Sequence, residues 1–123
     1  MTSTKVVLKP LAASFALTKS AGGLTVYWSG EWRDRYGLHP VYVNLLAPPN
    51  GRLAVARFEF KHRNENGYDT ARSEVIARTP RDEPVRHVGV ETARPLWAVR
   101  VVFRSDDAPA WCTKWIYNPY FQT

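Results

Sequence analysis

Nine prolines and seven glycines punctuate the 123-residue chain along its whole length, at spacings of about ten residues, and that rhythm leaves no room for long helices. The stretches between these breakers alternate in polarity and are rich in β-branched and aromatic residues, which suits strands. Strands are predicted over 5–8, 13–17, 24–28, 41–46, 52–62, 70–78, 85–91, 96–104 and 111–117. Pro48-Pro49-Asn50-Gly51 and Asn66-Gly67 fall between neighbouring strands and supply turns that tolerate positive φ.

The alternation is clearest over 96–104, where Trp97, Val99, Val101 and Phe103 share one face and Arg100 and Arg104 the other. Trp97 is therefore expected in the core. Over 52–62, Ala54, Ala56, Phe58, Phe60 and His62 form one face, while Arg57, Glu59 and Lys61 form a second, charged face expected to be wet. Strands with one apolar face each must pack as two sheets or close on themselves. The expected fold is all-β: residues 1–123 as a single antiparallel β-sandwich domain of about eight strands, immunoglobulin-like, with a barrel as second choice. A content of 45% hydrophobic and 13% aromatic residues is ample to offset ordering entropy, which excludes intrinsic disorder.

Seventeen Lys and Arg against eleven Asp and Glu give a formal charge of +6, a long-range attraction for anions without being a site in itself. Arginines alternate with carboxylates in Glu31-Trp32-Arg33-Asp34-Arg35 and Arg57-Phe58-Glu59, so no basic block forms and nucleic acid is disfavoured as partner. Cys112 is the only cysteine, so an intrachain disulfide framework is excluded. No apolar run reaches the roughly 18 residues of a membrane span, and no convincing cleavage signal follows the semi-apolar stretch 11–17. The expectation is a cytoplasmic protein.

Catalytic chemistry finds little footing. His39, His62 and His87 stand on different elements without ligand-pair spacing, and each reads as a surface or strand-face imidazole. Cys112, between Trp111 and Thr113, reads as a packed thiol rather than a nucleophile. Asp82-Glu83 and Asp106-Asp107 lie beside prolines in predicted turns and read as solvated carboxylates. Gly22-Gly23 lacks the spacing of a phosphate loop. A non-enzyme without metal or cofactor is expected.

The aromatic residues are the distinctive feature. One cluster is 27–36, where Trp32 and Tyr36 follow a predicted strand and alternate with charges, as in a water-accessible loop; the other is 111–121. If Trp111, Trp115 and Tyr117 share a face, Cys112, Lys114 and Ile116 share the opposite one, and the lysine suggests that the tryptophan face is buried. Exposed rings beside amides suit sugar faces. Beside arginines they also suit unpaired bases or a protein interface.

The order Trp28-Ser29-Gly30-Glu31-Trp32, then Phe58-Glu59-Phe60, then Leu96-Trp97-Ala98-Val99-Arg100-Val101, then Trp111 with Asn118 and Tyr120 beyond it, resembles the starch- and glycogen-binding modules of fungal glucoamylases and glycogen-targeting phosphatase subunits. Cys112-Thr113-Lys114 stand where that family carries Asp-Asn-Asn. The resemblance implies a carbohydrate-binding module for α-glucan. Trp32, Tyr36, Asn118 and Tyr120 would form the ligand platform, and Trp111 would hold the tail strand. The alternative is a structural or protein-docking sandwich that forms oligomers or binds a protein partner.

Overall fold

A computed structural model describes residues 13–46, 53–79, 89–105 and 108–121 and the backbone of 85–87. The predicted strand 5–8, the turn 48–51 and the acidic pairs 82–83 and 106–107 lie outside the described residues. In chain order the strands are β1 Ser14–Ala21, β2 Leu24–Asp34, β3 Gly37–Leu46, β4 Ala54–Asn64, β5 Gly67–Thr79, β6 Val85–His87, β7 Val90–Glu91, β8 Leu96–Ser105, β9 Trp111–Cys112 and β10 Ile116–Tyr117, followed by a 3-10 turn over Pro119–Phe121. They form two antiparallel sheets packed face to face. One runs β1-β2-β3-β6 with β7 also on β3, and the other runs β10-β8-β4-β5 with β9 also on β8. The sheets do not close into a barrel, so the sandwich is the architecture formed.

Gly22 and Gly23 take positive φ in the two-residue turn joining β1 to β2, the geometry that matches strand twist in a tight hairpin. The core follows parity. Leu24, Val26, Trp28 and Trp32 of β2 meet Phe58 of β4 and Val99, Val101 and Phe103 of β8 in one cluster. Trp28 receives Phe15 edge-on at 4.8 Å between centroids and lies 5.9 Å from Phe58. The indole N–H groups of Trp28 and Trp32 are buried and find no acceptor among the described residues.

Three expectations are corrected. Trp32 does not stand in a water-accessible loop: β2 continues to Asp34, with register shifts on either side of Trp32, and the indole is fully buried. Trp97 is not core. Lys61 pairs with Ala98 and His62 with Leu96, so Trp97 is an extra, bulged residue in β8; Leu96 returns to the interior and the Trp97 ring turns outward. In β10 the parity is the reverse of that expected: Ile116 packs against the core, while Tyr117 is exposed; Trp111, in β9, is exposed rather than buried as expected. Cys112 is half-buried in β9.

Trp32→Ala is therefore expected to destabilise the fold by about 3–5 kcal/mol, the cost of emptying a buried tryptophan site. Trp97→Ala, on the outer face, should cost under half of that. Urea unfolding midpoints of the two variants, followed by far-UV circular dichroism, make the comparison.

Candidate binding face

The outer face of the β10-β8-β4-β5 sheet gathers two exposed tyrosines, two half-buried tryptophans and a line of cations. Its spine is the charged side of β4. Glu59 lies directly opposite Arg72 of β5 and Arg100 of β8. Arg72 Nε donates to Glu59 Oε2 at 2.9 Å, and Arg100 Nε donates to Oε1 at 2.7 Å. Glu59 is 6% exposed. Burial opposes its ionisation, but the hydrogen bonds and charges of Arg72 and Arg100 outweigh burial and hold its pKa below the ordinary value of 4.5. This face is thus not uniformly wet, because the guanidinium groups cover Glu59.

Two residues further along β4, Lys61 is flanked by the small side chains of Thr70 and Ala98, and rings fill the space that they leave. The Lys61 ammonium lies 4.2 Å from the Tyr68 centroid, 4.4 Å from Trp115, 5.2 Å from Trp97 and 5.3 Å from Tyr117, and it donates to the Tyr117 hydroxyl at 3.2 Å. Only 6% of Lys61 remains exposed. Cation–π attraction from four rings stands in for lost water. Arg100 stacks on Trp115 at 4.2 Å, and Arg63 sits 5.6 Å from Trp97. The outer sides of these rings stay open: Tyr68 is 51% and Tyr117 44% exposed. Tyr68, Trp97 and Tyr117 form a contiguous row, with centroids 5.7 and 5.3 Å apart and planes inclined by 56° and 65°.

The residues expected to form a glucan platform lie elsewhere, and two of them are interior. The two segments that carry them do meet at one end of the sandwich, where Arg35 Nε donates to the Tyr120 carbonyl at 3.3 Å. Tyr36 is exposed there, and Asp34 Oδ1 accepts its backbone N–H at 2.7 Å. Trp32, however, is core. Asn118 is 1% exposed and saturated: its Nδ2 donates to the Asp34 and Leu96 carbonyls, each at 2.9 Å, and its Oδ1 accepts from the Tyr120 N–H at 3.0 Å. No amide remains to bind a hydroxyl, because the side chain is spent on tying the tail to both sheets. Tyr120 is half-buried against the core. Trp111 lies towards the other end of β8, opposite Phe103, where its indole packs on Gly22; a Cβ there would come within 2.7 Å of Trp111 Nε1. Trp111 is exposed and clamps the β1–β2 turn to the opposite sheet.

Sequence reasoning missed Trp97, Tyr68 and the buried state of Lys61. The available signal was the pairing of one lysine with many rings in neighbouring strands, which becomes visible only once register is known. No family model, curated protein or solved structure matches the chain.

Two outcomes follow from this geometry. Asn118→Ala strands two buried carbonyls and should destabilise by about 1–3 kcal/mol in denaturant unfolding. The depressed pKa of Glu59 contributes stability that is complete above pH 4.5, its ordinary value, and is lost as pH falls through the folded-state value. Glu59→Gln should therefore cost about 1.5–3 kcal/mol at pH 7, and its deficit relative to the wild type should shrink on acidification below pH 4.5. Urea midpoints at pH 7 and in that acid range test the sign.

Proposed function

We propose that this chain is a non-catalytic binding module that takes a saccharide chain on the outer face of the β10-β8-β4-β5 sheet. The observation that supports this reading is the row of rings formed by exposed Tyr68 and Tyr117 with half-buried Trp97 between them, anchored by a buried ammonium. Contiguous exposed aromatic surface is costly unless something covers it. The C–H faces of a pyranose stack on such rings, and neighbouring charged side chains accept or donate to its hydroxyls. Because Lys61 already fixes the rings, little side-chain entropy remains to be lost on binding. A shallow, solvent-facing row desolvates few ligand atoms, so dissociation constants on the order of 0.1–1 mM, about 4–5.5 kcal/mol, are expected for a short oligosaccharide.

Maltoheptaose is the first probe, since the order of segments resembles that of starch-binding modules. Titrated into the protein, it should change tryptophan fluorescence, and Trp97→Ala should weaken binding more than tenfold while the circular dichroism spectrum is retained. The same combination of Trp, Tyr and Arg also favours a protein-docking face. That second reading gains if no sugar binds and sedimentation shows self-association that Trp97→Ala abolishes.

A further inference from the structure

We infer that the saccharide held on this face is acidic, with a carboxylate or sulfate seated among Arg57, Arg72 and Arg104 while its sugar rings lie over Trp97 and Tyr117. This inference rests on the binding-face reading above and specifies its ligand. A cavity of about 270 Å³ opens on the same sheet face, floored by Val55, Val102 and Ala110 and rimmed by the three arginines. Arg57 and Lys61 share the outward parity of β4, and four residues of strand separate them by about 13 Å. A ligand reaching from the rings to the arginine cavity is therefore an oligomer rather than a single sugar.

Charge complementarity sets the sign of that ligand. Among the described residues, Arg57 and Arg104 have no carboxylate partner, and Arg72 shares Glu59 with Arg100. Guanidinium groups gathered on an apolar floor are weakly hydrated and offer paired donors to a planar or tetrahedral anion. Between the cavity and the rings, Arg72 and Arg100 cover Glu59 and share their charge with it, so this stretch attracts an anion less than Arg57 and Arg104 do. A nucleic-acid strand would set a phosphate there as on every nucleotide, whereas a saccharide can present a neutral residue there and its anionic group beyond it. The ring planes, inclined by 56° and 65°, also offer no parallel ladder for successive bases.

The test titrates the full chain with four probes at low and physiological salt: maltoheptaose, a tetragalacturonate, a heparin-derived tetrasaccharide and an oligo-dT. At low salt, one acidic oligosaccharide should bind at least about tenfold tighter than maltoheptaose, and salt should erode that margin. Trp97→Ala should weaken every saccharide. The double variant Arg57→Gln, Arg104→Gln should bind acidic and neutral probes alike. Which acidic probe responds identifies the anion as carboxylate or sulfate. If maltoheptaose binds in a Trp97-dependent way and neither acidic probe binds tighter, or if the double variant keeps the preference, the inference is overturned and the binding-face reading stands. If no saccharide binds, that reading falls as well. If oligo-dT binds more tightly than every saccharide, the face belongs to nucleic acid.

Discussion

One extra residue in β8 decides which tryptophans stabilise the fold and which face solvent. Strict alternation would send Trp97 inward with Val99, Val101 and Phe103. The bulge opposite Lys61 and His62 instead returns Leu96 to the core and turns Trp97 onto the sheet's outer face. Inside, Trp28 and Trp32 of β2 supply the largest fully buried side chains. On the outside, Trp97 lands between Tyr68 of β5 and Tyr117 of β10 and links them into one row.

That row depends in turn on a charge in an unusual place. A lysine this deeply covered forfeits hydration, and no carboxylate pairs with it among the described residues. Four ring faces and one hydroxyl take over that role. The arrangement works in both directions, since the ammonium also holds the rings at fixed mutual tilt. Next to it, Glu59 solves the converse problem with two arginines, one from each flanking strand. The middle strand thus alternates a buried anion with a buried cation, and both are covered by side chains from neighbouring strands. Such a sheet face has its charges paired and its rings packed without any ligand.

The two-sheet architecture and the inward residues Val26, Val43, Phe58, Val99, Val101 and Phe103 were legible in the sequence because period-two polarity is a local signal. Trp32 was misread for a reason that is also local. Glu31, Arg33 and Asp34 surround it with charge and Gly30 precedes it, so a strand continuing at its edge looks like a loop. Yet Leu24, Val26, Trp28 and Trp32 keep one parity, and that pattern carried the correct reading. Gly30 itself is closely packed, since a Cβ there would lie 3.0 Å from the Phe15 ring, which would have to give way. The candidate binding face was not legible. Bulges in β8 and β5 shift which residues stand opposite one another, and no property of the single strands marks them.

The tail illustrates how a residue type suited to ligand binding can be consumed by structure. β10 is two residues long and lies at a sheet edge, so its ladder alone would hold Tyr117 loosely. Thr113 secures the approach: its backbone N–H donates to the Val101 carbonyl, and its hydroxyl accepts the Val101 N–H. Asn118 secures the exit, donating its backbone N–H to the Trp97 carbonyl at 2.7 Å and its side-chain amide to Leu96 and to Asp34 on the opposite sheet. Asn118 therefore grips the backbone of the bulge that turns Trp97 outward, and it also ends the strand that presents Tyr117. The amide that resembles a sugar ligand in the sequence acts one step behind the surface, fixing the distance between two rings that a sugar could touch.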